Sequence, residues 1–317
     1  MRVATRSAPP LGAFRVVEAK RLFVDERGSG APRVVFLPGA GLTGLDYLHL
    51  HEPTAKVRSS LLYDRAGTGW SERVALPRTS RQVTDELHEL LRVTGDRAVV
   101  LVGHSLGGLY ARHYAGRFPD AVAGLVLLDP AHEDYDTYMP AELMQMRSGN
   151  RLFDMMNVVL DLALGTAPTK ALLQMLPPIR RYQRLYRALF DEVLSAWPDD
   201  VRGLLVERHV SLEWLAVGLR ESRGLEQLYA EVRESGPGPD VPLIILASTG
   251  TDGFRDAVSS GESPELLRAE VEGKLRLYEN VAASSKQGEV RTVESGHVTL
   301  PFRQPDAILQ AINDVTR

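Results

Sequence analysis

Short runs of consecutive apolar residues alternate along this chain with longer stretches in which apolar residues recur every three or four positions. Runs of this kind, rich in β-branched residues, are typical of strands buried on both faces of a parallel sheet. They occur at Val34–Leu37, Leu61–Tyr63, Val99–Val102, Leu125–Leu128 and Val241–Ala247, and Glu289–Val293 is predicted as the last strand. Strands that alternate with helices predict an α/β fold, with crossover helices on both sides of a parallel sheet.

Other segments extend this pattern at both ends of the chain. Phe14 to Val24 alternates loosely between apolar and polar residues and predicts a β-hairpin or two edge strands. Thr79 and Gln82 have the spacing of a capping box and predict the start of a helix. Late in the chain we expect helices over Pro264–Ala283 and Pro305–Val315, each with proline in its first turn.

Residues 136 to 236 interrupt the alternation, because they contain no strand candidate. The periodicity there predicts several helices, the clearest being Leu152–Leu164, Arg180–Ala196 and Leu212–Val232. We therefore expect two segments, 1–135 and 237–317, to form an α/β core, and residues 136–236 to form a helical insertion.

Bulk composition narrows the classes of function. The 317 residues carry a net charge of −4 with acidic and basic residues interspersed, which gives no support to nucleic-acid binding. Cysteine is absent, which excludes disulfides, thiolate catalysis and cysteine-ligated metals. No apolar run has the length of a membrane span, and the N-terminus lacks the apolar segment of a secretory signal. We therefore expect a cytoplasmic protein with no membrane span.

The sequence Gly103-His104-Ser105-Leu106-Gly107 carries the strongest chemical signal. It lies between a predicted strand and a predicted helix, which is the context in which G-x-S-x-G places a nucleophilic serine on a strained turn. The two glycines remove side chains that would collide in so tight a turn. Ser105 would then lie at a helix N-terminus, which favours developing negative charge. The alternative is a glycine-rich turn before an ordinary helix.

With this turn in its context, the chain resembles the α/β-hydrolase family from Phe14 onwards. The resemblance implies a mostly parallel eight-stranded sheet, with the helical insertion after the sixth strand acting as a cap over Ser105. It also implies that the catalytic base follows the last strand, where this chain has His297 within Glu294–Val298. His132 is the rival, since it follows the sixth strand, whereas His104 lies inside the turn and cannot reach its neighbour.

The base needs a carboxylate to orient it, and two positions compete. Asp252 follows the seventh strand, the commoner location in the family, and is the preferred candidate. Asp129 ends the sixth strand, where some relatives place their acid, and is the alternative. Glu133 and Asp134 are further alternatives.

A serine nucleophile also needs two N–H donors for the oxyanion. By family position these are the amides of Leu106 and Ala40. The family usually has His-Gly where this chain has Pro38-Gly39, so the loop must be held differently. The segment Asp64–Ser71 resembles the family pattern D-R-x-G-x-G-x-S, in which Asp64 and Arg65 are expected to be scaffold residues that pair with each other.

Together these features predict a serine hydrolase that cleaves an uncharged, fairly apolar ester, thioester or lactone through an acyl-enzyme, with no metal or organic cofactor. A C–C bond hydrolase, an amidase or a peptidase could use the same residues. A capped protein that binds a small ligand without turnover is the alternative from another class, because fold alone does not decide function.

Overall fold

A computed structural model describes residues 8–96, 98–148, 174–251, 255 and 263–317. Its eight strands are β1 Ala13–Val17, β2 Lys20–Arg27, β3 Arg33–Leu37, β4 Ser60–Tyr63, β5 Val99–His104, β6 Val122–Leu128, β7 Leu243–Ser248 and β8 Gly288–Val293. They form one sheet in the order β1-β2-β4-β3-β5-β6-β7-β8. β1 and β2 pair antiparallel with their neighbours, and the other six strands run parallel. The predicted mostly parallel eight-stranded sheet is confirmed.

The described α-helices are α1 Leu48–Ala55, α2 Ser80–Val93, α3 Leu106–Arg117, α4 Tyr135–Tyr138, α5 Ala141–Ser148, α6 Pro177–Val193, α7 Asp199–His209, α8 Leu212–Glu221, α9 Leu225–Glu234, α10 Pro264–Ala282, α11 Leu300–Arg303 and α12 Pro305–Val315. The predicted capping box at Thr79 is present, with the Thr79 hydroxyl accepting from the Gln82 amide. Among these helices, none combines the length and apolar character needed to cross a bilayer.

The central strands β3 to β7 are buried on both faces, which fits their continuous apolar runs. Along β3, Val34 and Phe36 pack into the core on one face, and Val35 and Leu37 into the core on the other. α12 covers the first face, and α2 and α10 contribute to the second. The ends of the central strands are therefore held in place by packing on both faces of the sheet.

The helices α6 to α9, here called the insert helices, lie in sequence between β6 and β7. The predicted helix Leu212–Val232 is two helices, because α8 ends at Glu221 and Gly224, with a φ of 67°, is the N-cap of α9. The predicted helix Leu152–Leu164 lies outside the described residues. Trp197 donates its indole N–H to the Leu45 carbonyl at 2.9 Å, which ties the insert helices to the loop after β3.

His49 on α1 is a buried histidine that makes the stability of the fold depend on pH. Its Nε2–H donates to the Pro301 carbonyl at 2.8 Å, and its ring packs 4.5 Å from that of Trp197. Burial lowers the pKa of His49 to about 4. Between about pH 4 and the unfolded value near 6.5, the unfolded chain therefore binds more protons, and stability falls as the pH falls.

We expect His49→Gln to make this pH dependence shallower, because glutamine can donate to Pro301 but does not titrate. One proton fewer corresponds to about 1.4 kcal/mol per pH unit in the slope of the unfolding free energy between about pH 4.5 and 6. Urea unfolding at a series of pH values measures this slope. Equal slopes in the two proteins would show that His49 is protonated in the folded state as well.

Candidate active site

Ser105 occupies a strained turn between β5 and α3, as the sequence predicts. Its φ of 51° and ψ of −119° are rare for a residue with a side chain, and such strain is characteristic of functional positions. A β-carbon at Gly107 would lie 2.0 Å from the Leu37 carbonyl oxygen, and one at Gly103 would lie 2.6 Å from the Gly107 oxygen. Only glycine fits at either position. Ser105 itself is half-buried at the start of α3.

His297 lies between Ser105 and a carboxylate. Its Nε2 is 3.0 Å from Ser105 Oγ, and its Nδ1 is 2.7 Å from Asp129 Oδ2. A carboxylate only accepts hydrogen bonds, so Nδ1 carries a proton and the Nδ1–H group donates a hydrogen bond to Asp129. Nε2 is then free of a proton and accepts from the Ser105 hydroxyl. The geometry is that of a nucleophile, a base and an orienting acid.

Asp129 is buried immediately after β6 with a φ of 43°. Besides His297, its carboxylate accepts from the Ser248 amide at 3.1 Å and the Ser248 hydroxyl at 2.7 Å, and it pairs with Lys274 at 2.9 Å. Burial alone disfavours its charge, but Lys274 and His297 outweigh burial and hold the pKa of Asp129 well below its usual range. The carboxylate beside His297 is thus the alternative candidate of the sequence analysis. The preferred candidate, Asp252, lies outside the described residues.

The other two histidines near the turn have different contacts. His104 donates from Nε2 to the His297 carbonyl at 3.0 Å. Burial and the neighbouring His297 lower the pKa of His104 to about 3, so His104 stays neutral. Its hydrogen bond holds the loop that carries His297. His132, the rival base, accepts at Nδ1 from the Asp134 amide at 3.0 Å, and burial lowers its pKa to about 4.

The loop Pro38–Gly41 lies against the turn. A β-carbon at Gly39 would be 2.8 Å from His104 Nδ1 and 3.4 Å from Ser105 Cβ. The amides of Gly39, Gly41 and Leu42 donate to Tyr47, Glu221 and the Gly39 carbonyl respectively. Over this part of the described chain, the amide of Ala40 is left without a protein partner.

Arg65 and Glu221 hold this loop, and the sequence analysis missed Glu221. The Arg65 guanidinium donates to the carbonyls of Pro38 at 2.6 Å and Gly39 at 3.2 Å. It pairs with Glu221 of α8 at 2.8 Å, whose second oxygen accepts from the Gly41 amide at 3.0 Å. Burial opposes the charge on Arg65, but Glu221 holds the pKa of Arg65 above its ordinary value.

Asp64 and Arg65 contact different partners instead of each other. Asp64 accepts from the amides of Gly44 and Trp70, each at 2.7 Å, which fits a scaffold role. The expected pairing of Asp64 with Arg65 is wrong, because Arg65 pairs with Glu221 instead. The loop in which Pro38 replaces the family's usual histidine is held by Arg65, through the carbonyls of Pro38 and Gly39. Glu221 has no local signal, because only the tertiary fold brings α8 to the loop.

We expect Glu221→Gln to lower the free energy of unfolding by about 3 kcal/mol, because it leaves the buried Arg65 charge without a counter-ion. Glu207→Gln on the neighbouring helix α7 is the matched control. Its partner Arg187 is 2.9 Å away and both side chains are exposed, so the change should stay within about 0.5 kcal/mol. Chemical denaturation of the two variants measures both values. Similar small losses would show that the buried pair contributes little.

Among the described residues, one group of neighbouring side chains is of the types that bind metal ions. His132, Glu133 and Asp134 bring ligand atoms within 4.8 Å of one another. Both Glu133 oxygens accept from Arg112, at 2.6 and 2.8 Å, and Asp134 pairs with Arg233 at 3.1 Å. Both carboxylates of the group are thus paired with arginines, as in a network of ion pairs.

Comparison with known proteins identifies a family that agrees with the fold and with the turn at Ser105. The sequence profile of the alpha/beta hydrolase family matches residues 34–311. The chain belongs to the alpha/beta hydrolase family.

Individual relatives match a smaller part of the chain than the family profile does. The chain is similar to lipase LipV of Mycobacterium tuberculosis, 39% identical over 105 residues that cover 32% of this chain and 39% of the lipase. It is also similar to an esterase of the same organism, 32% identical over 169 residues that cover 50% of this chain and 55% of the esterase. The chain spans about half the length of the curated relatives it matches, or less.

Among solved structures, the enol-lactonase from Burkholderia xenovorans superposes with a TM-score of 0.56 at 19% identity. The superposition covers 95% of this chain and 98% of the enol-lactonase. At this level of identity the likeness shows the fold alone.

Proposed function

We propose that this protein is a serine hydrolase that cleaves an uncharged, fairly apolar ester, thioester or lactone through an acyl-enzyme. The observation that carries the proposal is the chain of contacts from Ser105 Oγ through His297 to Asp129, at 3.0 and 2.7 Å. Serine is a weak nucleophile at neutral pH and needs such a base.

Each residue has a role in the proposed reaction. His297 Nε2 takes the hydroxyl proton as Ser105 Oγ attacks the carbonyl carbon, and Asp129 stabilises the imidazolium that forms. The amides of Leu106 and Ala40 donate to the oxyanion. The imidazolium then gives its proton to the departing oxygen or sulfur, and water hydrolyses the acyl-enzyme by the same steps.

The apolar substrate class is supported by what surrounds the oxyanion residues. Leu106, Leu109 and Tyr110 form one apolar cluster with Leu228 and Val232 of α9. Partly buried Ala40 and Ala131 pack against the same cluster. We propose that an acyl group held near Ser105 contacts the hydrocarbon of this cluster. We propose that residues 136–236, which include the insert helices, act as the cap over this site.

A series of p-nitrophenyl esters of increasing acyl length, with the matching p-nitroanilides, tests the proposal. We expect ester hydrolysis to exceed anilide hydrolysis, and kcat/KM to rise from acetate towards medium chains. Faster anilide cleavage would favour the amidase or peptidase alternative. Binding of esters without release of p-nitrophenol would favour the non-catalytic ligand-binding alternative.

A further inference from the structure

Lys274 is buried against the carboxylate that orients His297. Its ammonium lies 2.9 Å from Asp129 Oδ1 and 3.2 Å from Oδ2, and it also donates to Ser248 Oγ at 2.8 Å. The Lys274 side chain is 12% exposed and that of Asp129 is 4% exposed. A pair so well shielded from water interacts more strongly than an exposed surface pair.

The serine protease type of triad needs only a carboxylate, and its full negative charge stabilises the imidazolium. Here the carboxylate and the ammonium together carry no net charge. The ammonium therefore opposes the proton that His297 takes up, while its hydrogen bonds hold Asp129 and Ser248 in place.

We propose that Lys274 is a positioning residue that sets the pH at which His297 becomes protonated, and so extends the hydrolase activity towards acidic pH. The inference rests on the proposed function, because it assigns His297 the role of base. It assigns Lys274 no contact with substrate.

Other groups face this pair from each element packed on it. Tyr278, one turn along α10, donates to Asp129 Oδ1 at 3.4 Å and to the Pro130 carbonyl at 3.0 Å. From β5, the ring of His104 lies 5.2 Å from that of His297, and burial keeps it neutral. Glu270, one turn before Lys274, bonds to Tyr135 and Arg255. In this part of the described chain, Lys274 is thus the cation in direct contact with Asp129.

Lys274→Gln tests the inference, because the amide can still donate to Ser248 but carries no charge. Lys274→Arg is the control that keeps the charge. The acid limb of kcat/KM against pH reports the base of the free enzyme. For the glutamine variant, we expect its midpoint to move up by about one pH unit, a tenfold change in the proton-binding equilibrium. The arginine variant should stay within about 0.3 unit of the wild type.

An unchanged limb in Lys274→Gln, or an equal shift in Lys274→Arg, would overturn the inference and leave Lys274 a purely structural residue. Circular dichroism at each pH checks that the proteins stay folded, and Lys274→Met replaces the glutamine variant if that variant does not fold. NMR titration of the His297 ring, assigned with His297→Gln, measures the same shift without any substrate. If the wild type shows no hydrolysis, the proposed function fails, while the titration still decides the role of Lys274.

Discussion

Replacement of Ser105 by alanine is expected to lower kcat for p-nitrophenyl esters by about 10⁶, with the fold intact. The variant removes the atom proposed to attack the carbonyl, while the backbone of the turn, the amides proposed for the oxyanion and His297 are unchanged. The half-buried Ser105 hydroxyl contacts His297 Nε2 at 3.0 Å, and loss of this contact at the surface of the site should change the thermal midpoint little.

The matched control is Ser284→Ala. Ser284 is exposed and its hydroxyl donates only to the nearby Val281 carbonyl at 2.7 Å, so the control should keep its rate. Measurement of kcat and thermal midpoint on both variants tests the assignment. An alanine variant at position 105 that keeps more than about a tenth of the wild-type kcat would place the nucleophile elsewhere.

The second large effect concerns Asp129. Asp129→Asn is expected to lower kcat by about 10⁴, because the amide can present a donor to Nδ1 and favour the wrong tautomer of His297. It also leaves Lys274 buried without its counter-ion, so a lower thermal midpoint should accompany the loss. Both quantities are measured on the purified variant.

Asp252→Asn separates this assignment from the one that the sequence favoured. We expect it to keep kcat within about tenfold of the wild type. A dead Asp252→Asn with an active Asp129→Asn would restore Asp252 as the acid. Losses near 10⁴ in both variants would mean that the two carboxylates share His297, and neither single assignment would hold.

Much of the fold could be predicted from local patterns. The helix Pro305–Val315 has the predicted bounds and begins at its first-turn proline, and the turn around Ser105 follows from two glycines between a strand and a helix. The prediction of one continuous helix over Leu212–Val232 was wrong. Gly224 within it was the available signal, because a left-handed residue ends a helix.

The choice of acid could not be made from the sequence. β6 and β7 are adjacent parallel strands, so the residues that follow them emerge at the same edge of the sheet. From the sequence alone, an acid that follows either strand could therefore lie beside His297. What favours Asp129 is its geometry in the fold: a positive backbone φ, carboxylate contacts with donors from Ser248, and the 2.7 Å contact with His297 Nδ1.

The long-range supports were also beyond the sequence. Glu221 and Lys274 are single charged residues on amphipathic helices, a pattern that ordinarily indicates a solvated face. Their burial depends on where α8 and α10 pack. Only the tertiary structure shows that one holds the loop Pro38–Gly41 and the other neutralises the carboxylate beside His297.

Every catalytic role proposed above depends on the activation of Ser105 by His297 and Asp129. Reaction with a fluorophosphonate probe, followed by peptide mapping by mass spectrometry, measures this activation. We expect one adduct per chain, on Ser105, formed far more slowly in Asp129→Asn and absent from Ser105→Ala. An adduct on another residue, or labelling that persists in Ser105→Ala, would contradict it.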